Sequence, residues 1–321
     1  MTAIDPTRED AGSDRPGGTV PVADSGFRPS RWNSAVSRRP RSSVLARAGF
    51  LVPAVVLVGV FALVPAVATI WRSFFDDRFT NPAFVWFGSY AQVLGDPAIL
   101  RSLLNTVIWL VGTVIIPGGL GLAIAAMTNA TRWGRYARLA VVLPYALSGS
   151  AVAIVWNAML QNDGAINTAL SAFGLHGAGW LLSWPLDTVS LIVANSWQAT
   201  GVAVILYLVG LQGVPRETIE AAALDGVSGM RRFFAIVFPQ MRATTAVVLG
   251  ISLANGLKSF DLIWVLTQGG PGRQTETLAV SMYWQSFVLQ RPGTGAAIAV
   301  ILSVIVVGVS ITYLRRQLSD R

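Results

Sequence analysis

Long apolar stretches, separated by short polar ones, make up most of the chain after about residue 43. Each is close to the roughly 20 apolar residues that an α-helix needs to cross the hydrocarbon core of a bilayer. The pattern therefore predicts an all-α integral membrane protein whose transmembrane domain covers residues 44–321. The six predicted transmembrane helices, spans 1 to 6, cover residues 48–71, 104–127, 139–160, 188–211, 244–266 and 294–314.

Proline and glycine interrupt two of these predicted helices. In span 2, Pro117 is followed by Gly118, Gly119 and Gly121, which predicts a kink or a close approach to a neighbouring helix. In span 3, residues 144–150 break the apolar pattern with proline, tyrosine, serine and glycine. Neighbouring helices can satisfy the backbone groups that such breaks set free, so both segments still fit a membrane span.

The first 43 residues are polar and rich in Pro, Gly, Ser, Asp and Arg, which predicts a disordered tail. The apolar stretch that follows begins too late and runs too long for a secretory signal. Arginines concentrate in the tail, in the turn after span 2, in the segment after span 4 and at the C-terminus. This positive-inside bias predicts that both termini are cytoplasmic and that residues 73–101, 161–185 and 269–293 lie outside.

Composition excludes several classes of function. Only 12% of the residues are charged, against about 25% in soluble domains, and the mean hydropathy is +0.56. The net charge of +8 comes almost wholly from arginine, which anchors a membrane protein at anionic lipid, and no motif indicates nucleic-acid binding. Zero cysteines and the single His176 argue against disulfides, metal sites and Cys- or His-based catalysis. We therefore expect no catalytic residue, no metal and no cofactor.

The one long polar interruption in the C-terminal half is Glu217–Met241, which fits two short helices. Pro215 suits a first helical turn, and Gly226 and Gly229 allow a sharp reversal. Ser228 is placed to cap a second helix. We therefore predict a rigid helical hairpin at residues 215–238, on the cytoplasmic face, of a shape suited to docking a partner. Because the chain has no GxxxxGK[ST] loop, any ATP that drives it must bind to another subunit.

The same segment resembles the EAA loop of ABC importer permeases. Glu220-Ala221-Ala222, then Gly226, then Ile236-Val237-Phe238-Pro239 has the family spacing, with Phe238 where the family has Leu. The alternative is a polar surface loop with alanines placed by chance. The resemblance implies that the helix around Glu220, Ala221, Ala222 and Gly226 inserts into a cleft on a cytoplasmic ATPase. Glu220 and Asp225 would then meet basic or polar groups, while Arg231 and Arg232 would contact either the ATPase or anionic lipid.

A second resemblance covers the chain from Phe50 to span 6. Residues 260–271, FDLIWVLTQGGP, are similar to the FDxIYxLTGGGP pattern of carbohydrate permeases, with Gln268 in place of a Gly and Trp264 in place of Tyr. The TETL run at residues 275–278, later Tyr283 and Phe287, and the segments 105–107 and 143–148 fit the same family. The likeness is to the first of the two permeases of maltose-, lactose- and glycerol-phosphate-type importers.

This resemblance implies the type I ABC importer permease fold and a set of partners. They are a second six-span permease in a heterodimer, two cytoplasmic ATPase subunits that carry Mg-ATP, and an extracytoplasmic solute-binding protein. It further implies a multi-pass protein of the bacterial cytoplasmic membrane that imports a sugar or a sugar-like solute.

Polar residues inside the predicted spans are candidates for the solute pathway. Lys258 and Asp261 share a helix face, and a charge there costs about 2.5–3.5 kcal/mol in a bilayer. They are therefore expected to form an ion pair. The pair either belongs to the cavity or its gate, or has a structural role only. Asn195 and Gln198 either line the pathway or bond to a neighbouring helix. The other candidates are Asn255 and Ser259 for the cavity, and Trp156, Trp197 and Tyr283 as aromatic faces for a sugar or as interfacial belt residues.

Two other functions compete with import by an ATP-driven permease. A secondary transporter or channel is disfavoured because the chain shows no inverted repeat and no charged proton relay. A membrane-embedded enzyme is disfavoured because the chain offers one His, one adjacent acidic pair, Asp76 and Asp77, and no evident pairing of a nucleophile with a base.

Overall fold

The computed structural model describes residues 42–129, 131 and 133–319, so almost all of the predicted tail lies outside the described residues. The chain divides into two compact units, residues 1–55 and 56–321. The described part of the first unit is helical from Ser42 onward. The second unit contains all of the helices that follow Val58.

The described residues are almost all helical, and an isolated bridge between Phe75 and Phe84 is the strand-like pairing among them. The helices are α1 Ser42–Val58, α2 Val64–Arg72, α3 Gly88–Gly95, α4 Pro97–Asn129, α5 Gly134–Val142, α6 Gly149–Leu160, α7 Ala165–Ala172, α8 Leu186–Gln212, α9 Arg216–Leu224, α10 Gly229–Arg232, α11 Phe238–Gln240, α12 Arg242–Lys258, α13 Asp261–Thr267, α14 Leu278–Tyr283 and α15 Pro292–Ser319. π-helical turns lie at Gly59–Leu63, Phe233–Val237 and Trp284–Val288, and a 3₁₀ turn lies at Leu143–Ala146.

Spans 1, 2, 4 and 6 are continuous helices long and apolar enough to cross a membrane. They cover Leu51–Arg72, Pro97–Asn129, Leu186–Gln212 and Pro292–Tyr313. The other two spans are broken. Gly134–Ala146 and Gly149–Ala172 meet at 105°, with the break where the sequence predicted it. Gly229–Gln240 and Arg242–Leu257 meet at 74°, so the predicted fifth helix over residues 244–266 is wrong in its bounds. It ends at Lys258, and a separate short helix, α13, follows.

The centre of the fold is the pair α4 and α8, which small residues bring together. A Cβ added at Gly121 would lie 2.5 Å from the Cβ of Ala203, so only glycine permits this approach. Gly118 and Gly119 have open space around them, and α4 passes through Pro117 as one helix. The glycines after Pro117 predicted either a kink or a close approach to a neighbouring helix. The structure shows the close approach, at Gly121.

Two ends of the helix bundle matter for function. Near the C-terminal ends of α4 and α8 lies the segment 215–241, which we name the coupling segment, and we call this the coupling end. The opposite end, where α4 and α8 begin, carries the segments 161–185 and 268–277, and we call it the loop end. Between them the outer flanks expose many large apolar side chains, such as Phe61 and Val67 on the first span, as expected of a surface that faces lipid.

Candidate functional site

A cavity of about 470 Å³ lies where the two broken spans come together. It is bounded by the break between α5 and α6, the break between α12 and α13, and the middle of α8. Its polar lining consists of Thr113, Tyr145, Asn195, Gln198, Ser252, Asn255, Ser259 and Asp261. Discontinuous helices that open their backbone toward a cavity are how membrane proteins build solute sites inside the bilayer.

The first break is stabilised by side chains that replace the missing helical bonds. Ser148 begins α6 as its N-cap, because its hydroxyl accepts from the Ala151 amide at 3.2 Å. The carbonyl of Leu147, just before this cap, accepts a hydrogen bond of 2.6 Å from Nε2 of Gln198 on α8. The broken backbone is thus tied to the neighbouring span at the cavity wall.

The second break lies against the first. α12 ends at Lys258, and the Ser259 hydroxyl bonds back to the Asn255 carbonyl at 3.0 Å. A Cβ added at Gly149, at the start of α6, would lie 3.7 Å from the Cβ of Asp261. The two interruptions are therefore close neighbours, and both contribute to the wall of the cavity.

Five of the predicted pathway residues line this cavity: Asn195, Gln198, Asn255, Ser259 and Asp261. Helical spacing explains part of the grouping, since Asn195 and Gln198 are three residues apart and lie on one face of α8. Gln198 lines the cavity and also bonds to a neighbouring span, so the second of the two alternatives considered for it is confirmed. The side chain of Lys258 lies outside the described residues, so its pairing with Asp261 stays a prediction.

The three predicted aromatic residues lie outside the cavity lining. Trp197 is two residues from Asn195, which places it about 200° around α8, and its ring packs on Trp156 with centroids 6.1 Å apart. Tyr283 packs on Trp264 with centroids 4.6 Å apart.

The cavity receives its aromatic rings from Tyr145 and Phe260, which sequence reasoning did not select. Both lie in the quoted motif segments at residues 143–148 and 260–271, and both are next to a helix break. The position of each at an interruption was the signal that could have identified them.

The coupling segment reverses direction by a Schellman motif at the end of α9. The Gly226 amide bonds to the Ala223 carbonyl at 3.1 Å, and the Val227 amide bonds to the Ala222 carbonyl at 2.9 Å. Gly226 has φ +74°, a left-handed conformation that glycine adopts without steric cost. The predicted reversal at this glycine is what the structure shows.

The second helix of the coupling segment differs from the prediction at its start. Ser228 occupies the N-cap position of α10, but its side chain makes no capping hydrogen bond. The chain then continues through a π-helical turn into α11, which contains Pro239. Gly229, with φ +56°, turns the chain into α10 in place of a side-chain cap.

Burial divides the predicted coupling residues into two sets. Ala222 is 4% exposed and faces the protein, and Arg232 lines a cleft of about 230 Å³ with Asn129 at the end of α4. The exposed set comprises Glu220, Ala221, Asp225, Gly226, Arg231 and Pro239. The structure adds two exposed apolar side chains that the sequence analysis did not select, Leu224 at 90% and Met230 at 74% exposure.

The adjacent acidic residues Asp76 and Asp77 have structural partners. The Asp77 carboxylate accepts from the Thr294 amide at 2.8 Å and from its hydroxyl at 2.9 Å, which caps the first turn of α15. Asp76 accepts from the Ala83 amide at 3.0 Å and forms an ion pair with Arg78 at 3.0 Å. Both carboxylates thus hold the first loop of the chain at the loop end.

The remaining motif segments, residues 105–107 and 275–278, contact each other. Asn105 Nδ2 on α4 donates to the carbonyls of Gln274 at 2.6 Å and of Glu276 at 3.0 Å. The Thr106 hydroxyl accepts from the Leu278 amide at 2.9 Å. Segments about 170 residues apart in sequence are therefore joined at the loop end.

Comparison with known proteins relates this architecture to transport. The family model described as binding-protein-dependent transport system inner membrane component matches residues 115–321. A probable ABC transporter permease protein of Pyrococcus horikoshii is 35% identical over 83% of this chain and 93% of its own length. An osmoprotective compounds uptake permease protein of Synechocystis sp. is 31% identical, over 83% of this chain and 97% of its own. An alpha-glucoside transport system permease protein of Rhizobium meliloti is also 31% identical, over 83% of this chain and 80% of its own length.

Among solved structures, a chain of a bacterial ABC transporter involved in the import of the acidic polysaccharide alginate superposes with a TM-score of 0.77. The two chains are 20% identical, and the match covers 86% of this chain and 96% of the other. The predicted type I ABC importer permease fold is thereby confirmed. The chain is a membrane protein that belongs to the family of binding-protein-dependent transport system inner membrane components.

Proposed function

We propose that the chain forms half of the pathway by which an ATP-driven importer carries a sugar or sugar-like solute, and that the cavity is its share of that pathway. One observation carries the proposal: polar side chains of α8 and α12 and the breaks of two spans meet at one cavity inside the bundle. The relatives quoted above include permeases named for an alpha-glucoside and for osmoprotective compounds.

The chemistry of the lining suits a solute rich in hydroxyl groups. Asn195, Asn255 and Gln198 present amides that both donate and accept, and Ser259 presents a hydroxyl. Phe260 and Tyr145 add aromatic surface to the lining, against which the apolar side of a sugar ring can pack.

The coupling segment connects the cavity to the proposed ATPase. Val237 and Met241 of this segment pack with Tyr207 of α8 and Val248 of α12 in one buried cluster, and Ile219 of α9 packs against that cluster. A displacement of α9 therefore moves α8 and α12 together, and these are the two helices that carry the polar lining. Such rigid-body motion is a common basis for alternating access.

The proposed assembly has the partners expected from the resemblance. A second six-span permease completes the pathway, an extracytoplasmic binding protein delivers the solute to the loop end, and two ATPase subunits bind Mg-ATP at the coupling end. The exposed Leu224 and Met230 give the coupling segment an apolar contact surface beside Glu220 and Asp225. Both termini are then cytoplasmic, as the arginine distribution indicates.

Solute uptake by cavity variants tests the proposal. Asn255→Ala and Asn195→Ala each remove one side chain that can bond to the solute, and Ser303→Ala, an exposed position on α15, is the matched control. One lost hydrogen bond is worth about 1 kcal/mol, so the half-saturating solute concentration should rise about fivefold in either cavity variant. Unchanged half-saturation in both, with normal amounts of assembled transporter, would overturn the proposal.

A further inference from the structure

A buried polar network holds the far end of the loop 268–277. Glu276 is 0% exposed, and its carboxylate accepts from Nε and Nη2 of Arg273, the latter at 3.0 Å. The Ser281 hydroxyl on α14 lies 2.6 Å from the same carboxylate and 2.8 Å from the Ser102 hydroxyl on α4. The hydrogen bond to Glu276 raises the pKa of Arg273, so this side chain stays charged.

The carboxylate thus joins three parts of the chain. Together with the bonds from Asn105 and Thr106 described above, it fixes both the side chains and the backbone of the loop to α4. Charge-assisted hydrogen bonds are about twice as strong as neutral ones, so Glu276 supplies the strongest of these contacts.

The near end of the same loop leads to the cavity. α13 begins with Asp261 and Leu262, which line the cavity, and it ends at Thr267, whose hydroxyl lies 2.8 Å from that of Thr275 in the loop. With seven residues, α13 spans only about 10 Å. One short helix, α13, therefore connects the network around Glu276 with the cavity.

We propose that Glu276 is a positioning residue for solute transport. By binding Arg273 and Ser281 it holds the loop on α4, and through the loop it fixes α13 as the wall that closes the cavity toward the loop end. Leu262, Ile263 and Leu266 also pack α13 against Trp109 of α4, so without the carboxylate the loop and the end of α13 next to it are the parts that loosen from α4. The cavity then becomes accessible to water from the loop end outside the transport cycle. The functional consequence rests on the proposed function, which makes this cavity the solute pathway.

The test measures how readily a reagent enters the cavity. Because the chain has no cysteine, Ser259→Cys introduces a unique thiol into the lining. A membrane-impermeant maleimide is added from the loop side to right-side-out vesicles of the native host, which keep the chain with its own partners. In Glu276→Gln and in Ser281→Ala, the introduced thiol should react about tenfold faster than in the parent. This factor corresponds to the loss of one hydrogen bond to a charged group.

Two controls separate positioning from general damage. Arg78→Gln breaks the exposed ion pair with Asp76 at the same end of the protein and should leave the labelling rate unchanged. Glu276→Asp keeps the negative charge and should return the rate toward that of the parent.

Each outcome decides the proposal. Equal labelling of the parent and both network variants overturns it. If the Glu276→Gln chain does not reach the membrane, the milder Ser281→Ala variant decides. If the network variants label faster but the parent imports no sugar, the positioning role of Glu276 stands and the proposed function fails.

Discussion

Substitution of Gly226 by aspartate separates docking of the coupling segment from folding. Gly226 has φ +74°, and a Cβ added there meets no heavy atom within 4 Å, so a side chain costs backbone strain and no steric clash. A non-glycine residue in the left-handed region costs roughly 1–2 kcal/mol, and aspartate falls at the lower end because it tolerates this region better than most residues. Gly174 provides a matched control: it lies at the loop end, with φ +73° and equally open surroundings.

The two variants therefore carry the same intrinsic cost at opposite ends of the protein. Both Gly226→Asp and Gly174→Asp should reach the membrane in near-normal amounts and lose about 1 kcal/mol of unfolding free energy. The Gly226 variant alone should lose the ATPase on co-purification, because its new carboxylate lies next to Asp225 on the proposed docking surface. Intact, transporting complexes with Gly226→Asp would refute the docking role, and equal loss of the ATPase in both variants would show a general defect.

Two further predictions concern stability, measured as the unfolding free energy of the chain in mixed micelles. Arg273→Ala leaves the buried Glu276 carboxylate without its cation and should cost about 3 kcal/mol of unfolding free energy. This is the lower end for a buried pair, because the Arg273 side chain is 38% exposed. Arg78→Ala, at the exposed pair, should cost less than about 1 kcal/mol, and similar values for the two variants would contradict the role assigned to burial. Gln268 has φ +52° at the position where the similar carbohydrate-permease pattern has glycine. Gln268→Gly should therefore raise the unfolding free energy by up to about 1 kcal/mol. A lower unfolding free energy would show that the Gln268 side chain has a role of its own.

The sequence predicted the four continuous spans and their order because hydrophobic length is a local property. It also predicted the grouping on α8, since Asn195 and Gln198 share a face in any helix. It could not show that Asn255 faces the same space, because that depends on how α12 packs against α8. The predicted bounds of the fifth span were wrong for a similar reason. The residues from 244 to 266 are apolar enough for one helix, whereas the structure divides them between α12, which ends at Lys258, and α13, which begins at Asp261.

The aromatic residues show the other limit of sequence reasoning. Trp197 and Asn195 lie close in sequence, yet a helix turns them to opposite sides. Glu276 was part of a motif, but its burial arises from contacts with Ser281 and with residues of α4 far away in the chain. Long-range packing thus decides which polar residues face the cavity and which hold the frame around it.

The length of α4 places the network around Glu276 at a definite depth. The helix has 33 residues and is about 50 Å long, whereas the hydrocarbon core is about 30 Å thick. The stretch from Val107 to Met127, with Thr113 as its one polar side chain, matches that thickness, and a bilayer centred on it would leave the turns that carry Ser102 and Asn105 in the headgroup layer. A thicker bilayer would draw this end of α4 toward the acyl chains, and the fit between helix and lipid would then set how firmly the Glu276 network closes the cavity.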